Sequence, residues 1–268
     1  MSFITISDLA VNTLQIVVLF FVILNSFIKL EKSNHKLVIV FFALAMTSYF
    51  MSLLYWDAYE IIRPNTRMPL SVSSMGENAT FLLLGASLSM RVSVKKRLRP
   101  EYIGTVIFMI GNVVLWILWT EEWIQDILGG IAFGYLALVV TGRIIETEVW
   151  KKRDKIIYSL AALSVLAILF VQYALGENWT DNLDTVVFVV LLFILLYSFI
   201  NVLMSFTKKS NKTAEQRIIL TFIFYLWAIL SLYSTSGEYY FVMNMIECVT
   251  FPLMMITVLK EEAKNDIR

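Results

Sequence analysis

One cysteine, one histidine, four prolines and ten glycines are all that a chain of 268 residues contains of those types. The lone thiol, Cys248, excludes an internal disulfide and any multi-cysteine metal site. The single histidine, His35, stands in a basic loop and reads as an ordinary loop side chain, not a ligand. His-Glu-x-x-His, Gly-x-Ser-x-Gly, a phosphate-cradling glycine loop and an aspartate-rich diphosphate motif are all missing. Zinc-dependent, serine-dependent and nucleotide chemistry therefore lack the residues that would carry them. Aspartyl chemistry needs two carboxylates at one site, so an intramembrane enzyme is the least supported class. No cofactor is expected.

Long polar stretches are also missing. The chain is 59% hydrophobic with a mean hydropathy of +0.74, against about 45–50% apolar residues in water-soluble domains. Apolar runs of the roughly 20 residues needed to cross hydrocarbon recur along its whole length. They give nine candidate spans, at 8–28, 37–56, 69–90, 102–119, 123–142, 156–175, 185–206, 216–233 and 239–259. The expected fold is all-α, a polytopic membrane helix bundle and a single domain over 1–268. A plasma membrane or bacterial inner membrane is its expected place, with lipids as its constant partners.

Charge orients the bundle. Alternate loops and the tail hold 20 of the 22 basic residues, among them Arg91, Lys95, Lys96, Arg97 and Arg99 together. The other loops hold only Arg63 and Arg67, with ten acids. Lys and Arg stay on the cytoplasmic side during insertion, which sets the N-terminus outside and the C-terminus inside. The first helix is then followed by four in–out–in hairpins, 37–91, 102–143, 156–207 and 216–260. The N-terminal residues lack a basic region and cleavage site, so the first helix is read as retained. The span at 69–90 is polar, with Ser71, Ser73, Ser74, Glu77 and Asn78. Dropping it would put the basic cluster after it outside, so it is expected to cross.

Two phrases resemble each other. Met75, Glu77, Thr80, Phe81 and Leu83 align without a gap with Met245, Glu247, Thr250, Phe251 and Leu253. The hairpins carrying them, 37–91 and 216–260, run the same way, which makes them a candidate parallel repeat. Glu77 and Glu247 each lie about eight residues in from the outer end, roughly 12 Å deep. A charge at that depth costs on the order of 2.5–3.5 kcal/mol, so both are expected to face the interior. Thr80 and Thr250, three residues on, share their faces, and Asn78 adds an amide. With no basic residue expected in a membrane core, the carboxyls must rely on hydrogen bonds, water, a cation or a proton.

Most outer turns join acids to aromatics, as in Trp56, Asp57, Tyr59 and Glu60. An interfacial aromatic belt accounts for much of this, while a cation-attracting mouth is the functional alternative. The glycines of LGGIAFG, Gly129 to Gly134, read as helix packing. Pro252 is the one proline inside a span and the candidate hinge, five residues after Glu247. Paired broken helices, frequent at carrier sites, have no counterpart.

The expected function is a receptor-like or sensory membrane protein. A small, cationic ligand would enter from outside and be bound by Glu77, Glu247, Asn78, Thr80, Thr250, Trp56, Asp57, Tyr59 and Glu60. Without an output domain, such a protein signals through a cytoplasmic protein partner; no nucleic acid is implicated. A proton- or cation-coupled carrier is the alternative. The topology has a direct check: in a Cys248→Ser background, Thr120→Cys should react with an impermeant maleimide on intact cells, and Lys95→Cys only after permeabilisation. The opposite pattern would mean that the Glu77 segment does not cross.

Overall fold

A computed structural model describes residues 3–31, 33, 35–63, 72–90, 99–175, 180–207, 210 and 212–265. The outer loop 64–71, the basic loop 91–98 and the outer-loop residues 176–179 lie outside the described residues. Nine helices and no strands are present among the described residues: α1 Phe3–Leu30, α2 Lys36–Ile62, α3 Val72–Ser89, α4 Pro100–Thr120, α5 Trp123–Thr147, α6 Lys152–Leu175, α7 Thr180–Ser205, α8 Ala214–Tyr233 and α9 Gly237–Asn265. Eight are long and apolar enough to span a membrane, and α3 is the exception. The protein is a polytopic membrane helix bundle. Its starts and stops follow local chemistry. Pro100 opens α4, where its missing N–H costs nothing, and Thr213 with Gln216 forms a reciprocal capping box on α8.

By packing, the chain divides into two compact units. The first comprises Met1–Arg97, Glu122–Val139 and Phe251–Arg268; the second comprises Leu98–Glu121 and Val140–Thr250. Both α5 and α9 therefore contribute to each.

In the first unit α2 and α3 form an antiparallel pair closed by hydroxyls. Ser52 donates to the Ser73 carbonyl at 2.8 Å, Thr80 to that of Ala45 at 3.2 Å, and Ser87 to that of Val38 at 2.9 Å. On each helix the three positions are seven residues apart, the spacing that returns a side chain to one seam. Gly76 belongs to the same seam: a Cβ there would lie 2.9 Å from the Ser48 carbonyl oxygen and from Ser52 Cβ. Small residues thus let two backbones approach closely. Since α3 keeps this register along most of α2, an apolar span, it lies alongside that span despite its polarity. Its other face meets α5, through Phe81 against Phe133 at 5.4 Å and Gly85 against the Tyr135 ring.

In the second unit α8 is the core helix. Nearly every residue from Ile218 to Leu232 is buried. By contrast α7 exposes Val186, Val189, Phe193, Leu196, Ile200 and Leu203, a three-four-spaced apolar stripe that reads as a lipid face. Gly111 of α4 receives the Leu166 side chain of α6.

The seam is testable. Gly76→Ala should destabilise the purified protein by about 1–3 kcal/mol, through overpacking against Ser48 and Ser52. Thr80→Val, which removes one interhelical hydrogen bond, should cost about 0.6 kcal/mol. Thermal unfolding in detergent reads both.

Candidate functional site

The intramembrane carboxylate Glu77 takes its position from the α2–α3 register, which places it level with Ser48, near the middle of α2. At about 100° per residue, it falls between the stripe that faces α2 (Ser73, Gly76, Thr80, Ser87) and the one that faces α5 (Asn78, Phe81, Gly85). It is half-buried there. Asn78 lies against α5: a Cβ on Gly129 would come 3.6 Å from its Oδ1. Gly129 therefore keeps the wall beside this amide low. The Thr80 hydroxyl is not turned to the carboxyl but donates to the backbone oxygens of Gly76 and Ala45.

Glu247 belongs to the second unit and is fully buried. Thr250 again uses its hydroxyl on the backbone, donating to the Glu247 carbonyl at 2.7 Å. Glu77 and Glu247 fall in different units. The aligned phrases do present matching faces. Met75 and Met245 are exposed, Thr80 and Thr250 fully buried, and Phe81 and Phe251 buried as well. Only the carboxylates differ, one half-buried and the other enclosed. Pro252 does not end α9, which continues as helix from Gly237 to Asn265.

Two boundaries differ from the sequence reading. The first is the outer end of α2, which runs to Ile62, so Trp56, Asp57, Tyr59 and Glu60 are helical, not part of a loop. Nothing before Pro64 forbids helix, and the chain leaves it at Arg63, next to that proline. Helical spacing separates the four. Trp56, Tyr59 and Glu60 share a face, while Asp57 turns away and is buried against α1, accepting a hydrogen bond from Asn12 Nδ2 at 3.0 Å. The second is the inner end of α5, which extends to Thr147 and carries Arg143 inside it. Arg143 is 3% exposed and pairs with Glu146 at 3.0 Å and Glu215 at 3.3 Å. A buried guanidinium is tolerated because both carboxylates belong to the same unit.

The basic residues around it are engaged within the protein. Lys212 donates to the Val149 carbonyl at 2.9 Å, and Arg217 to those of Ser205 and Lys212. Burial in the loop pushes the Lys212 ammonium below its usual pKa. No cluster of metal ligands occurs among the described residues.

One feature had no sequence signal. In the second unit a narrow crevice opens among α4, α6 and α8, lined by Asn112, Trp116, Trp119, Leu169, Tyr233 and Ser234. Asn112 is an ordinary polar residue in an apolar run and Ser234 opens a polar outer turn, and neither has spacing or repetition to mark it.

Comparisons with protein-family models, curated proteins and solved structures gave no match. The site must be judged by its own chemistry. For Asp57 that chemistry is structural: Asn12→Ala should destabilise the protein by about 1–3 kcal/mol, because the buried carboxylate loses a donor. Asp57→Asn should cost less, and the ratio of the two losses in thermal unfolding checks the assignment.

Proposed function

We propose that this membrane protein is receptor-like, binding a small, cationic ligand from the outer side and signalling to a cytoplasmic partner. The observation that carries this reading is Glu77, a half-buried carboxylate at mid-span on the one helix too polar to be a plain span. A helix that exists only to cross would not need it, since a charge at that depth is costly. Asn78, beside Gly129, supplies a neutral oxygen on the neighbouring face. Glu247 is the enclosed counterpart on α9, where Pro252 removes one backbone donor within two turns of it. The acid-rich outer turns raise the local concentration of cations, and Trp56, Tyr59 and Glu60 present one such surface. Unbroken helices around both carboxylates favour a sensor over a carrier, whose ion sites are typically formed at helix breaks.

Glu77→Gln separates the readings because it removes the charge and keeps the shape. A panel of small amines is screened by thermal shift on the purified protein. At a concentration near 100 times its Kd a bound amine stabilises by about 2.7 kcal/mol. The wild type should show such a shift for at least one amine, and Glu77→Gln should fold normally and lose it. Proton-driven accumulation of that amine in proteoliposomes, abolished by the same substitution, would establish the carrier instead.

A further inference from the structure

We infer that the crevice among α4, α6 and α8 is a binding site for a primary ammonium group, separate from Glu77 and independent of whether that residue senses or transports. Four observations within the second unit support this inference.

The first is unmet hydrogen bonding. Asn112 is 1% exposed; its Nδ2 donates to the Phe108 carbonyl at 2.8 Å, yet its Oδ1 has no partner within the protein. Ser234 is 5% exposed, and its Oγ is likewise without a partner. Buried polar atoms are rarely left so, and here two of them line one crevice. Asn112 Oδ1 accepts only, so the complementary group must be a donor.

The second is the wall. Trp116 and Tyr233 meet edge to face at 5.4 Å, with Trp119 beside them. Ring faces attract a cation, and more strongly as water is excluded.

The third is the field. Helices α4, α6 and α8 run the same way, so all three bring C-terminal ends to this side of the membrane, at Thr120, Leu175 and Tyr233. Each end carries a partial negative charge of roughly half a unit, offset in part by the N-terminal ends that α7 and α9 bring to the same side at Thr180 and Gly237, so the preference for a cation rests on the carboxylates as well. Glu121, directly after α4, and Glu238, four residues after Ser234, are exposed. Every Lys and Arg of this unit is at the opposite ends of its helices.

The fourth is size. The deep part of the crevice admits a water-sized group. A space of that size suits –NH3+ better than a quaternary ammonium, whose methyl groups need more room. Two sources share this chemistry, a free primary amine and the headgroup of an aminophospholipid at the outer interface.

The full chain is reconstituted in nanodiscs of phosphatidylcholine and phosphatidylglycerol and titrated with ethylammonium by calorimetry. Tetramethylammonium is the control. Saturable binding of ethylammonium alone is expected, weakened about tenfold or more in Asn112→Leu, which keeps the volume and removes the acceptor. In a Glu77→Gln background, which silences the site proposed above, the Asn112-dependent part of this binding should remain. In the second arm, phosphatidylethanolamine replaces phosphatidylcholine: competition with ethylammonium, lost in Asn112→Leu, identifies the lipid as the source, and its absence the free amine. Should Asn112→Leu not fold, Ser234→Ala and Trp119→Leu serve in its place, each weakening the binding. The inference is overturned if neither arm shows binding that these substitutions weaken, or if tetramethylammonium binds equally well.

Discussion

Hydrocarbon offers no hydrogen-bond partner, so every hydroxyl, amide and carboxyl inside a span must find one in the protein. Most hydroxyls here meet that demand within their own helix. Thr13, Ser26, Thr47, Ser198, Thr221 and Ser231 each donate to the carbonyl four residues back. Some reach across instead, as Thr105 does to Thr141 and Tyr158 to Ser198, and three of them hold α3 in place. Ser52, Thr80 and Ser87 bond from one helix to the other at a seven-residue spacing that apolar side chains would normally fill. Close approach at Gly76 keeps the bonds short. Without this seam a helix bearing Glu77 and Asn78 would have little reason to remain in the bilayer. The depth of that carboxylate, and any role for it, depends on the same bonds.

The two membrane faces answer one electrostatic problem differently. Every helix ends in unsatisfied carbonyls with a partial negative charge. On the inner side the ends of α5 and α7 meet cations or amides from the segment that leads into α8 and from its first turn. Gln216 donates to Thr147 at 2.9 Å and Lys212 to Val149 after α5, and Arg217 to Ser205 at the end of α7. Insertion confines Lys and Arg to that side, so among the described residues the outer ends of α4 and α8 meet no such cations. They end among tryptophans, tyrosines and carboxylates. An outer surface that is short of cations and rich in their partners is a direct consequence of how the chain enters the membrane.

The uneven placing of Lys and Arg along the chain is a matter of counting charges in the sequence. The nine helices were legible there as well, since a hydrophobic run of span length has few alternatives. The charge count also retained α3, which hydropathy alone would have discarded. Helix ends were less legible. Composition gave no sign that α2 would run past Trp56 or α5 past Gly142. The first extends because nothing breaks helix before Pro64, and the second because Glu146 and Glu215 neutralise Arg143. The outer cluster of Trp56, Asp57, Tyr59 and Glu60 reads as one patch in sequence, but helical geometry divides it and turns Asp57 to Asn12.

By itself the sequence determined the class of protein and the positions of its helices, because these follow from transfer free energies, which are properties of single residues and short windows. It also singled out Glu77 and Glu247, since a carboxylate in an apolar run is conspicuous without any structure. Only tertiary structure decided what each polar group meets. Thr80 and Thr250 turn to backbone carbonyls instead of their neighbouring carboxyls, and Asn112 and Ser234 line one crevice although more than a hundred residues separate them. Hydrogen-bond partners depend on distances of a few ångströms between segments remote in the chain, and no local pattern encodes those distances.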